Sequence, residues 1–155
     1  MALKKGVGMS MNSDNVTAKL SRRGEKVEKH SVDVMRKYGD DVLRLARLNV
    51  PVKDFYVEDS IVKEENRTGQ NRRIEITIGV DSAKLASISG KSYDYSIWLH
   101  ESSYNLGPLS EVKYYISKAE DPRAKVGNKF LERAIDSVKS DALSDLRKGI
   151  KEAIR

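Results

Sequence analysis

Cysteine is absent from this 155-residue chain. That excludes a disulfide scaffold, a thiolate zinc site and a cysteine nucleophile. No apolar run approaches the roughly 20 residues that a membrane-spanning helix needs. The start, with Lys4 and Lys5 ahead of Gly6-Val7-Gly8-Met9-Ser10, carries no secretory core. Histidine is scarce, with only His30 and His100. Without a second histidine at helical spacing there is no metal triad. His100 and Glu101 are sequence neighbours, so regular helix or strand geometry points their side chains apart. The serines lack a Gly-x-Ser-x-Gly context. Gly6-Val7-Gly8 precedes no strand–helix unit that would cradle a phosphate. Nothing here assembles a catalytic or metal site, and no cofactor is implied.

What the chain does have is charge. Charged residues make up 34% and hydrophobic residues 39%, with a formal net charge of +6. The length fits one domain with a real core. The positive balance favours a negative partner such as nucleic acid or an acidic protein surface.

Residues 1–12 lack periodicity and read as a flexible N-terminal arm, followed by a single α+β domain over 13–155. Ser13 or Asp14 caps a helix beginning at Asn15 or Val16. Its first part carries Lys19, Arg22, Arg23, Lys26 and Lys29 against Glu25 and Glu28. Gly24 predicts a break and Gly39 a bend. Val34, Met35, Tyr38, Val42, Leu45 and Ala46 form a helical stripe. The helix ends near Asn49, because Pro51 pushes its predecessor out of α geometry.

Two strands follow. One spans about Tyr56 to Glu65, with Val57, Asp59 and Ile61 on one face. The second, Arg73 to Val80, alternates strictly, with Ile74, Ile76, Ile78 and Val80 inward. The turn-rich stretch from Asn66 to Asn71 joins them as a hairpin. Asp81 to Ser92 is rich in Ser, Gly and Lys and reads as a loop. Tyr93 to Glu101 holds the only tryptophan and favours a short helix. Val112 to Ile116 is a short element of open type. A break at Asp121-Pro122-Arg123 precedes Gly127-Asn128-Lys129-Phe130-Leu131-Glu132-Arg133-Ala134-Ile135, which launches a helix running to Arg155. Leu131, Ala134, Ile135, Val138, Ala142, Leu146, Ile150 and Ala153 form its apolar face, and the opposite face is almost wholly charged. The expected architecture is α+β, a small antiparallel sheet packed by a long N-terminal and a long C-terminal helix.

Four markers occur in order: a charged helix ending in Leu48-Asn49-Val50-Pro51-Val52, Glu58-Asp59-Ser60-Ile61, the segment Tyr95 to Glu101, and Gly127 to Ala134. This order resembles the tail-completion proteins of long-tailed double-stranded DNA bacteriophages, also called neck or head–tail connector proteins. Members of that family show a helix ending in Ala-Pro-Val, an Asp-Thr-Gly turn and Leu-x-x-Ser-Ile opening a strand. A Tyr-Ala-x-x-x-His/Glu element and a Gly-x-x-Phe-Leu-x-x-Ala helix start follow. Here Pro51-Val52, Ser60-Ile61, Tyr95, His100-Glu101, and Phe130-Leu131 with Ala134 match. The chain departs from the pattern at Lys53-Asp54-Phe55, which stands where Asp-Thr-Gly is usual.

The resemblance implies a structural virion protein and no catalytic group. It would be made in the host cytoplasm and sit in the neck. There it would form a homo-oligomeric ring, sixfold or twelvefold, between a head-side connector and the tail tube or tail terminator, with a DNA channel and no membrane. Tyr95, Trp98, Tyr104, Phe130 and Leu131 are then candidates for core anchors or subunit contacts. Lys19, Arg22, Arg23, Lys26, Arg133 and Lys139 are candidates for charge facing partners or passing double-stranded DNA. The alternative is a nucleic-acid-binding accessory protein using the basic helix over 19–29. That stretch contains no aromatic residue to stack on bases, so its contacts would be to phosphates.

Overall fold

A computed structural model describes residues 13–52, 55–68, 73–91 and 94–155. The expected arm over 1–12 and most of the hairpin turn lie outside the described residues. Element order is α1 (Ser13–Asn49), α2 (Tyr56–Ser60), β1 (Ile61–Thr68), β2 (Arg73–Val80), α3 (Ser82–Ser89), α4 (Ser96–Glu101), α5 (Pro108–Glu120) and α6 (Phe130–Ile154). The class is α+β, with a two-stranded antiparallel sheet and long helices at either end of the described chain.

α1 is one continuous helix that starts ahead of the expected Asn15 or Val16. Gly24 does not break it. That glycine is exposed, and the ~1 kcal/mol penalty of one interior glycine does not outweigh the helix on either side. Gly39 marks a close approach. A β-carbon there would lie 3.1 Å from Ile76 Cγ2 and 3.2 Å from its Cδ1. β2 therefore lies against α1 where the helix has no side chain. The hairpin register pairs Lys63 with Ile78 and Glu65 with Ile76. Lys63 then reaches Asp40, and Arg36 forks onto Glu65 at 2.7 and 2.9 Å. Isoleucines from β2 cover the helix while ion pairs from β1 flank it.

The first strand starts at Ile61, not Tyr56. Residues 56–60 form a helical turn instead, which buries Val57 and Ser60 together with Ile61. Strand alternation would have split those three between two faces. Phe55 opens this turn in the left-handed region at φ 58°. It occupies the place of the glycine in the family's Asp-Thr-Gly pattern. Phe55 takes this left-handed geometry although it is not glycine, at a strain of ~1–2 kcal/mol.

The expected loop over 81–92 contains α3. Asp81 accepts the Lys84 N–H at 2.9 Å, and Gly90, at φ 65°, closes the C-terminus on the Ala86 carbonyl. These are ordinary cap residues, masked in the sequence by a Ser-rich composition. α4 forms as expected. The element of open type around 112–116 is the middle of a 13-residue helix, α5, with Pro108 in its first turn.

α6 runs antiparallel to α1. Arg23 reaches the Arg155 carbonyl, His30 Nε2 donates to the Asp145 carbonyl at 3.0 Å, and Tyr38 OH donates to Asp145 at 2.8 Å. The core gathers Val42, Leu45, Ala46 and Val50 of α1 and its end with Val57, Ile61, Leu85, Leu99, Phe130, Ala134 and Val138. The expected stripe on α6 needs correction. Ile135 and Ile150 are 48% and 38% exposed, and Leu143 and Ile154 on the supposedly charged face are exposed apolar residues. One reason is that α6 meets α1 through small residues. Gly149 is buried, and its missing side chain makes room for the His30 ring.

A β-carbon at Gly149 would fall 1.8 Å from His30 Cδ2 and 1.9 Å from Nε2. Gly149→Ala is therefore expected to displace the ring and its hydrogen bond. The net loss is ~1–3 kcal/mol, despite the gain in helix propensity. Adding His30→Ala should restore most of that loss. Urea unfolding of the two variants checks the order, and a single Gly149→Ala variant at least as stable as the wild type contradicts it.

Candidate functional site

The last turn of an α-helix leaves four carbonyls without intrahelical donors. In α1 each of them is satisfied. Ala46 O accepts from Val50 N at 3.1 Å, Arg47 O from Lys113 Nζ at 2.8 Å, Leu48 O from Ser117 Oγ at 3.1 Å and Asn49 O from Gly127 N at 2.9 Å. Two of the four donors are side chains of α5. A third α5 residue, Ser110, accepts the Val52 N–H at 2.9 Å and donates to the Val52 carbonyl. Lys113 also pairs with Glu58, and burial pulls its ammonium below the usual lysine pKa against that pairing. A cation at a helix C-terminus is further favoured by the helix dipole.

Ser110, Lys113 and Ser117 are spaced i, i+3 and i+7, so they form one stripe of α5. That stripe faces inward. The helix is amphipathic in the inverted sense, with polar side chains buried on the end of α1 and apolar ones outside. Leu109, Val112, Tyr115 and Ile116 are 58%, 58%, 73% and 62% exposed. Four large apolar residues on one face are more than the scattered exposure normal for a soluble surface. The expected element over 112–116 is too short to reveal this face, since the helix extends over Pro108–Glu120. The spacing of Leu109, Val112 and Ile116, with Pro108 just ahead, was the signal.

The chain break after α5 is clamped electrostatically. Arg123 reaches both oxygens of Asp41 at 2.8 and 3.1 Å and bonds Asp121 at 2.9 and 3.1 Å, while Arg44 bridges the same two carboxylates. Hydrogen bonds from Arg123 hold the Asp121 carboxyl well below the usual range, against the effect of burial. Burial pushes Asp41 upward, but Arg123 and Arg44 outweigh it and its pKa falls. Beyond the clamp, buried Asn49 accepts the Lys125 N–H at 2.6 Å and donates to the Phe130 carbonyl. Gly127, at φ 147°, and Lys129, at φ 52°, turn the chain into α6.

The aromatic candidates gather around α4. Phe130 is fully buried and meets the His100 ring edge-on at 4.9 Å. Tyr95, Tyr104 and Leu131 are half-buried against the same core. Trp98 is 60% exposed and stacks on Tyr104 with ring centroids 5.4 Å apart. Tyr104 OH donates to the Leu99 carbonyl at 2.8 Å, and burial pushes its pKa up to about 12, against the charge of Arg133. Ile97 beside Trp98 is also exposed.

The charged candidates divide. Lys19, Arg22, Arg23 and Lys26 lie exposed along the first turns of α1, at the end where α6 finishes. Lys139 is exposed on α6. Arg133 folds back onto the Gly127 turn and bonds Asn128 at 2.8 Å.

His100 and Glu101 do not point apart. Their side chains meet at 2.7 Å, because Glu101 ends α4 and the chain leaves helical geometry at Ser102. Both border a shallow cleft with Val80, Ser82, Asp94, Ser96 and Phe130. Among the described residues no group of three or more His, Cys, Asp or Glu side chains is placed to hold a metal ion. No helix among them is long and apolar enough to cross a membrane.

The inverted polarity of α5 gives an inverted mutational rule. Ser117→Leu is expected to destabilise the fold by ~2 kcal/mol or more, since it removes a buried cap and forces bulk against α1. Ile116→Ser, one residue away, should stay within ~0.5 kcal/mol of wild type. Thermal and denaturant melts of the two variants measure the contrast, and equal losses would contradict the inward assignment of Ser117.

Comparison with known proteins adds one match. The family model described as "Bacteriophage HK97-gp10, putative tail-component" matches residues 14–93, slightly more than half of the chain. The matched stretch runs from α1 through α3 and includes the hairpin. No curated protein and no solved structure gives a significant match. With its long charged helix, its Pro51-Val52 exit and the hairpin inside the matched stretch, the chain belongs to the HK97-gp10-like family of bacteriophage tail components.

Proposed function

We propose that this protein is a structural component of the virion neck. Residues 13–155 act as one connector domain, and identical copies close into a sixfold or twelvefold ring. The ring joins the portal side of the DNA-filled capsid to the tail tube or tail terminator and leaves a channel for DNA. The observation that carries this reading is the outward apolar face of α5 in a chain of a tail-component family. A fold that spends its polar helix face internally and leaves four large apolar residues in water fits a part built for assembly. Phe130, Leu131 and Tyr95 serve as core anchors, and Trp98 on Tyr104 offers a further subunit contact. The chemistry of such a part is joining, with no catalytic group required.

Light scattering of the chain mixed with head- and tail-side components tests this reading. The expected gain over the mass of those components is six or twelve times that of the 17.5 kDa chain. A chain that stays monomeric with both components present, together with normal head–tail joining in virions lacking it, refutes the proposal.

A second reading rests on the exposed basic turns of α1. Lys19, Arg22 and Lys26 there, with Arg23, offer phosphate contacts without base reading. They serve either DNA in the channel or a separate nucleic-acid-binding role. Micromolar binding to duplex DNA that drops steeply between low and moderate salt is its signature. Arg22→Glu with Arg23→Glu should weaken that binding several-fold, and unchanged affinity removes the role.

A further inference from the structure

We propose that the apolar face of α5 seats on the outer face of the C-terminal half of α6 in a neighbouring copy. This rests on the ring reading and adds to it which two surfaces meet.

α5 cannot bury its own apolar stripe by rotating. Its opposite side is fixed by the bonds of Ser110, Lys113 and Ser117 to the end of α1. The stripe of Leu109, Val112, Tyr115 and Ile116 therefore waits for a partner. A second unpartnered stripe lies on α6, where Leu143, Ile150 and Ile154 are 44%, 38% and 58% exposed. With Arg147 they are spaced i, i+4, i+7 and i+11, which is one helix face. The lengths agree. α5 has 13 residues, about 20 Å, and the stretch from Leu143 to Ile154 spans about 17 Å.

Charge and position select the same pairing. Exposed Glu111 and Glu120, with the single cation Lys118, border the stripe on α5 and leave it net acidic, whereas exposed Arg147 and Lys151 border the stripe on α6. Two α5 stripes facing each other would instead bring acidic borders together. The patches also lie toward opposite ends of the molecule. α5 is fastened at Arg47 and Leu48, and the end of α6 lies beside His30 and Arg23. His30 and Arg47 are separated along α1 by about 25 Å. Two different complementary patches, far apart on one chain, define a heterologous contact, which closes a ring when its rotation permits. A two-fold dimer needs the same patch on both partners.

The natural absence of cysteine makes the contact directly readable. Two double variants, Val112→Cys with Ile150→Cys and Val112→Cys with Leu143→Cys, are oxidised under the conditions that assemble the wild type. At least one should give a ladder of disulfide-linked oligomers on non-reducing gels, while each single variant gives none. Mixing the Val112→Cys and Ile150→Cys single variants, or Val112→Cys with Leu143→Cys, should give linked dimers only. A companion variant, Val112→Glu with Ile116→Glu, should lose assembly while its circular dichroism and melting temperature stay those of the wild-type monomer. Crosslinking of Val112→Cys with itself overturns the proposal in favour of a symmetric contact. Rings of normal mass with no ladder in either double variant, or formed by the Glu variant, overturn it and leave the ring reading standing. A wild type that remains monomeric with head and tail components present overturns both.

Discussion

The placement of α5 and of the turn into α6 is organised by the need to satisfy the four carbonyls at the end of the first helix. Buried peptide groups without partners cost ~1–3 kcal/mol each, and α1 ends inside the molecule, not at its surface: Asn49 and Val50 are essentially inaccessible to water. The donors come from three places: the following residue, two side chains of α5, and the backbone of Gly127. Segments about 65 to 80 residues downstream are thereby fastened to one helical turn. Asn49 adds two more bonds to the same junction, holding Lys125 and Phe130 and so setting where α6 begins. The fold class follows from a long helix whose end is a hub, with a hairpin across its middle and α6 returning along its length.

The parts legible in the sequence are those governed by period. The stripe on α1, the alternation of β2 and the long C-terminal helix each carry a regular pattern over many residues, and each is present. Short elements were harder, because capping and tertiary bonds decide them. The turn at Tyr56–Ser60 reads as strand by composition, yet burial of Val57, Ser60 and Ile61 on one side makes it helical. α3 was hidden by serines, although Asp81 and Gly90 stand at its ends as caps. The polarity of α5 was the least legible. Its buried stripe is polar, and only the position of the α1 carbonyls, unknown from sequence, says why serine and lysine belong inside.

The two histidines illustrate the same division. The packing of each depends on a residue distant in sequence, Gly149 for His30 and Phe130 for His100. His30 fills the space above Gly149 and bonds a carbonyl of the facing helix. His100 packs on Phe130, bonds the neighbouring Glu101 and presents its own carbonyl to Lys129. The family resemblance drawn from Pro51-Val52 and Ser60-Ile61 falls on the matched stretch, while the markers at Tyr95 and Phe130 lie beyond it.

The inward serines of α5 also bear on timing. A protein that hides its adhesive surface until a signal arrives needs a moving part to uncover it. Here the apolar face of α5 is on display as soon as the chain has folded, because folding itself uses up the polar side. On the proposed ring reading, joining is then governed by encounter: local concentration and the arrival of a matching surface set when copies associate. On the same proposal, dilution and the charges around the face keep free chains single, and the first complementary site they meet commits them.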